Sequence, residues 1–184
     1  MSTAAMKASR NQLLFTACRE AIVLAAYPDG KHLSIGIGSN SPDLKPGDTI
    51  TISEVFERFK SDIVSREIIV NRALKVEVSQ QQFDALVDFY YQNGNKLDDE
   101  GRPGFTTLMK IVNAGAFDDA VRYLPTCWRN SHGETIKGLK DRRHLEQAVW
   151  LRGDYGDLTS APLYRGPPST SPRERYVFKP EDLA

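Results

Sequence analysis

Glu20-Ala21-Ile22-Val23-Leu24-Ala25-Ala26-Tyr27-Pro28-Asp29-Gly30-Lys31-His32-Leu33-Ser34-Ile35-Gly36-Ile37-Gly38 runs from an apolar-periodic segment through a turn into a glycine-punctuated strand. Just before it, Leu13, Leu14 and Ala17 recur at helical spacing, which predicts a helix over 8–19 that delivers Glu20 at its end. Pro28-Asp29-Gly30 is turn chemistry, because proline presets one backbone angle and glycine tolerates a positive one. Alternating glycines, prolines and β-branched residues over 27–52 predict a short hairpin or small sheet, with a second turn at Leu44-Lys45-Pro46-Gly47-Asp48. Two carboxylates and the Ser34 hydroxyl can therefore converge on one cleft. Such a set suits acid-assisted hydrolysis of a glycosidic bond, where one carboxyl protonates the leaving oxygen and the other carboxylate activates water or stabilises charge.

Working outward, Ser53 is read as the N-cap of a helix with Val55, Phe56, Phe59 and Ile63 on one face, continuing towards Leu74. Ser79 and Gln82 have capping-box spacing, and the helix they start should carry Phe83, Leu86, Val87 and Tyr90 inward and stop at Gly94. A polar loop follows over 94–104, then helices at 106–112, 117–124 and 139–152, the last stopped by Gly153. Residues 1–7 read as a frayed end. Prolines crowd the last segment, so 154–184 reads as an extended tail, lying on the body or disordered. A small sheet followed by helices argues an α+β fold of two lobes with a cleft between them.

Composition excludes several classes. The chain has 184 residues, 24 basic against 24 acidic, and a pI near 6.8. It carries no whole-protein basic field for nucleic acid or anionic membrane. No apolar run reaches the roughly 18 residues of a membrane span, and Leu13-Leu14-Phe15 is too short for a signal h-region. Synthesis and folding in a cytoplasm are expected. Cys18 and Cys127 read as two buried thiols, and His32, His132 and His144 lack metal-ligand spacing, so neither zinc nor another cofactor is expected. Gly36-Ile37-Gly38 is no nucleotide motif, since Ser41 stands where the third glycine is needed. Phe105, Trp128 and Trp150 read as core anchors.

Glu20, Leu24, Ala26, Tyr27, Asp29 and Ile35-Gly36-Ile37-Gly38 resemble the opening signature of phage-type lysozymes, glycoside hydrolase family 24. The likeness continues in order: Phe83-Asp84-Ala85-Leu86-Val87 with Gly94, Thr107-Leu108 through Asn113-Ala114-Gly115, Trp128, then Gly138-Leu139, Arg142-Arg143, Glu146, Trp150-Leu151 and Gly153. It implies a lysozyme-like catalytic domain over 1–153, with a sheet lobe about 20–60 and a helical lobe about 75–153 plus the N-terminal helix. The 154–184 tail lies outside it.

The resemblance also implies a muramidase acting on peptidoglycan glycan strands as a monomer. It would work from the host cytoplasm after release or be carried in a virion. Glu20 falls on the general acid, Asp29 on the second carboxylate and Ser34 on the hydroxyl that helps hold water. Tyr91, Thr107 and Arg122 match sugar-contacting positions, and Arg142 matches a partner of the acid. On the residues alone, Tyr91 is equally a core aromatic and Arg142-Arg143 a solvated helix face. Three positions depart from the family pattern: the Asp29–Ser34 interval is one residue short, Ala21 replaces a glycine, and Ser39 stands where histidine is common. The first requires a rebuilt turn. A glycan-binding or structural virion module that has lost hydrolysis is the competing expectation.

Overall fold

The computed structural model describes residues 5–94, 96–129, 134, 136–168 and 174–183. Its order is α1 (Arg10–Glu20), β1 (Ile22–Asp29), β2 (His32–Gly36), β3 (Ser39–Asn40), α2 (Ile52–Ala73), α3 (Gln80–Asn93), α4 (Gly104–Asn113), α5 (Phe117–Tyr123), α6 (Lys137–Arg152), β4 (Ser160–Tyr164) and β5 (Glu174–Val177). A single 3-10 turn, Leu124–Thr126, follows α5 through Pro125. This is the expected α+β class. The chain divides into a sheet unit, Leu13–Val64 with Asp157–Ala184, and a helical unit, Met1–Gln12 with Ser65–Gly156. The divisions fall inside α1 and α2.

In the sheet unit the five strands lie in the order β3-β2-β1-β4-β5. β1 and β2 are antiparallel, pairing Tyr27 with Ser34 and Asp29 with His32, and their register shifts between Val23 and Tyr27. In that shifted stretch β1 bonds elsewhere: the Ala26 N–H donates to Asp48 O at 2.8 Å and the Ile50 N–H to Leu24 O at 3.0 Å. The bulge thus lets one strand serve two neighbours, satisfying backbone groups that a straight ladder would leave to water.

α2 starts two residues earlier than Ser53 predicts. Thr51 is the cap: its Oγ1 accepts the Glu54 N–H at 3.3 Å while Glu54 Oε2 accepts the Thr51 N–H at 2.7 Å. Thr51-Ile52-Ser53-Glu54 is itself a capping-box sequence, so the signal was present. Val55, Phe56, Phe59 and Ile63 are buried as expected, none more than 7% exposed.

The C-terminal segment read as an extended tail contains two strands. Residues 160–164 and 174–177 are strands β4 and β5, and β4 joins β1 in parallel. Pro162 hides the strand in the sequence, since proline lacks the N–H a central strand donates. Here the β1 pairing begins at Leu163, one residue beyond it.

In the helical unit the Ser79–Gln82 capping box forms, and Gly94 ends α3 at φ +50°. Phe83, Leu86 and Val87 are fully buried, but the fourth large residue turned inward is Phe89 rather than Tyr90. Tyr90 is half-buried and packs on Phe105 with ring centroids 4.5 Å apart. Trp150 is buried, whereas Trp128 is half-exposed with the Arg129 guanidinium over its ring.

The loop after α3 is organised by one buried side chain. Asp98 accepts the N–H of Glu100 and Arg102, Arg102 Nε at 2.7 Å and the Tyr123 hydroxyl at 2.7 Å. Gly104 opens α4 with backbone so close to Asn93 that a Cβ would meet Asn93 Nδ2 at 2.7 Å. Residues 6–9 are tied rather than frayed: the Met6 N–H donates to Asn71 and the Ala8 N–H to Glu67.

Neither cysteine is in a disulfide; Cys127 is buried and Cys18 half-buried. His132 lies outside the described residues. Among the described residues no helix is long and apolar enough to cross a membrane, and no cluster of three His, Cys, Asp or Glu could hold a metal ion.

Candidate active site

Glu20 is the last residue of α1, and Ala21 turns the chain out of the helix and into β1. Ala21 does so at φ +66°, the left-handed region glycine usually fills. The sequence departs from the glycine pattern here, yet the backbone keeps the glycine-like conformation. An L residue in that region costs roughly 1–2 kcal/mol. Strain held at such a junction means that the surrounding structure overdetermines it. Ala21→Gly is therefore expected to raise stability by about 0.5–1 kcal/mol, the relief of strain exceeding glycine's added chain entropy. A shift of the urea midpoint upward checks this; no shift or a fall would show the junction to be unstrained.

β1 carries the chain from this junction to Asp29 at its far end. The reversal into β2 takes only Gly30 and Lys31, since Asp29 pairs with His32. Gly30, at φ +61°, occupies the first central position, the requirement of a tight primed hairpin turn. This is how the shortened interval is rebuilt: a two-residue turn puts Asp29 and Ser34 on facing strands. Ser34 is fully buried and its Oγ donates to Asp29 Oδ2 at 2.9 Å, while Asp29 itself is exposed. The hydroxyl and the second carboxylate expected from the sequence are thus brought together.

Tyr27, one strand turn before Asp29, connects this pair with the helix end. Burial pushes its phenol above the ordinary tyrosine range, and the charges of Asp29 and then Glu20 push it further, against an opposing hydrogen bond from Ser34. Both carboxylates therefore act on one half-buried phenol within the sheet unit. Sequence reading used Tyr27 only as a motif letter. The hairpin register places it opposite Ser34. Ser39, at the third departure from the family pattern, donates its hydroxyl to Asp62 Oδ2 in α2.

The remaining candidates lie in the helical unit. Arg142, in α6, is buried, not on a solvated face, and makes a bidentate pair with Asp88 of α3 through Nε at 2.9 Å and Nη2 at 2.8 Å. Arg143 is fully buried beside it, 2.6 Å from Glu146 and with its guanidinium 4.6 Å from the centre of the Phe89 ring. The Arg143–Glu146 contact is an ion pair, and among the described residues Arg143 Nε and Nη1 have no hydrogen-bond partner. Burial drives the Glu146 carboxyl well above the usual carboxylate range, with Arg143 opposing and Asp88 adding to the rise.

Asp88 and Glu146 were not singled out as site residues. A charged residue on the buried face of an apolar helix was the available signal. Tyr91 is half-buried under the Arg66 guanidinium, 5.2 Å from its ring. Thr107 bonds the Pro103 carbonyl, and Arg122 is exposed and paired with Asp119 at 2.6 Å.

Similarity to known proteins agrees with this arrangement. The phage lysozyme family model matches residues 17–146. The endolysin of Bacillus phage PZA is 34% identical over 166 residues, covering 89% of this chain and 60% of that protein. The endolysin of Bacillus phage B103 is 31% identical over 157 residues, covering 85% and 56%. The chain thus spans less than two thirds of the length of these curated relatives. Among solved structures, the endolysin of Escherichia coli O157:H7 phage FAHEc1 superposes with a TM-score of 0.72 at 28% identity, over 85% of this chain and all of that one. With the helix-end glutamate, the hairpin aspartate and the matching fold in place, this chain belongs to the phage lysozyme family.

Proposed function

We propose that the chain is a muramidase that cleaves the β-1,4 bond between N-acetylmuramic acid and N-acetylglucosamine in peptidoglycan. The observation that carries the reading is the Ser34–Asp29 hydrogen bond on a hairpin launched directly from Glu20, in a chain of the phage lysozyme family. Glu20 donates a proton to the glycosidic oxygen, so the sugar leaves as an alcohol rather than an alkoxide. Asp29, exposed near the hairpin tip, supports positive charge on the opening ring or orients water together with Ser34.

Tyr91, Thr107 and Arg122 are assigned to sugar contact by ring face, hydroxyl and guanidinium. The acid-pairing role expected of Arg142 belongs to the same proposal. Action on the wall after release from the host cytoplasm, or from within a virion, and action as a monomer complete it.

Ser34→Ala removes the hydroxyl from Asp29 and is expected to lower turnover about tenfold, the worth of one hydrogen bond expressed in the rate. Initial rates against purified peptidoglycan check this. An unchanged rate would remove Ser34 from the water-holding role. The proposal as a whole is tested by incubating the protein with purified sacculi and counting new reducing ends. Steady release supports hydrolysis; binding to sacculi without release would make the chain a glycan-binding module instead.

A further inference from the structure

β4 and β5 lie after the residues that match the family model, which end at 146, yet they complete the sheet that carries the proposed acid's junction. Their placement is selective. β1 runs from Ile22 to Asp29, but β4 pairs with it only at Ile22↔Leu163 and Val23↔Tyr164, directly after Ala21. On the other side of the junction, Cys18 in the last turn of α1 donates its thiol to the Ser160 carbonyl at 3.4 Å. The same carbonyl accepts Arg175 Nη2 of β5 at 2.8 Å. The segment therefore grips the chain before Glu20 and after Ala21.

The grip is itself anchored. Ala161 and Leu163 are buried, at 0% and 7% exposure. The Phe178 N–H donates to Thr159 O at 2.9 Å, closing the β4–β5 pair. Tyr176 packs edge-on against Phe56 of α2 at 5.6 Å, and its hydroxyl donates to Asp182 at 2.8 Å. A non-glycine residue at φ +66° persists only where its neighbours hold it. Here β4 pairs with the two residues after the strained one, and its Ser160 carbonyl meets Cys18 before it.

We infer that the C-terminal strand pair is a positioning element for Glu20, with Leu163 and Tyr164 as positioning residues that fix the Ala21 turn and so the carboxyl's direction. The inference rests on the assignment of Glu20 as the acid.

The test uses the full chain with Leu163→Ala, and Leu163→Val as the milder variant should the first fold poorly. In the folded variant kcat on soluble glycan falls about tenfold with KM within about twofold, and the alkaline limb of the pH–rate profile moves by about half a unit. Amide exchange at 21–23 accelerates more than about tenfold, while α4 amides are unchanged. Val112→Ala, a buried truncation in α4, controls for stability loss alone and leaves kcat and the pH profile as they were. Equal kcat losses in the two variants, or a Leu163→Ala protein with unaltered pH profile and unaltered exchange at 21–23, would overturn the inference. An active Glu20→Gln protein would instead remove the acid assignment, leaving the exchange result to judge the grip by itself.

Discussion

Asp88→Ala is expected to destabilise the protein by about 3–5 kcal/mol, the cost of breaking a buried ion pair by removing one member. The side chains of Arg142 and Asp88 are 7% and 1% exposed, and two hydrogen bonds of 2.9 and 2.8 Å join them. Removing Asp88 leaves a guanidinium that water cannot easily reach, beside a second buried cation, Arg143. Glu146 offers weak compensation, since its contact with Arg142 is 3.7 Å and burial already disfavours its charged form. Asp88→Asn keeps a hydrogen-bond acceptor and should cost less. Urea unfolding of the two variants checks both statements, and a loss under about 1 kcal/mol for Asp88→Ala would show that the cluster relaxes or hydrates when broken.

Glu20→Gln is expected to fold normally and to lose about 10³-fold in turnover, in the middle of the range attributed to positioned general acids. Glutamine preserves the helix end, the side-chain volume and hydrogen bonding, so α1 and the Ala21 turn have no reason to move. It has no proton of useful acidity to give the leaving oxygen. Asp29 cannot replace it, because Asp29 lies at the other end of β1 with Ser34 donating to one of its oxygens. The loss should appear in kcat with KM little changed, since the proton is required at the transition state and not for binding. Unfolding curves of the variant and the parent should coincide. A variant within tenfold of the parent rate would dismiss Glu20 as the acid.

Local chemistry was legible in the sequence and long-range pairing was not. The Ser79–Gln82 cap and the helix leading to Glu20 are each set by neighbours within a few residues and stand in the structure, while the turn read at Pro28-Asp29-Gly30 falls at Gly30-Lys31, with Pro28 and Asp29 paired in β1. Thr51 carries the same kind of signal as Ser79, two residues before the competing cap candidate Ser53. Phe89 and Tyr90 are adjacent on α3, where one residue of helical phase, about 100°, decides which is buried and periodicity alone leaves the choice open.

The Asp88–Arg142 pair joins residues 54 apart, and nothing local to either specifies the other. β4 is the clearest case. It is short, interrupted by Pro162, and stabilised by pairing with Ile22 and Val23 near the opposite end of the chain. Its strand character comes from that pairing and from burial of Ala161 and Leu163, not from its own propensity. Of the candidate site, Asp29 and Ser34 meet because a two-residue turn absorbs the missing residue, an outcome that spacing posed as a problem and the hairpin register resolves.

The most direct test is borohydride reduction of glycan fragments released from purified peptidoglycan by the parent protein and by Glu20→Gln, followed by identification of the reduced terminal sugar. The account predicts muramitol from the parent and almost none from the variant. Glucosaminitol from the parent, or equal muramitol from both proteins, would contradict it.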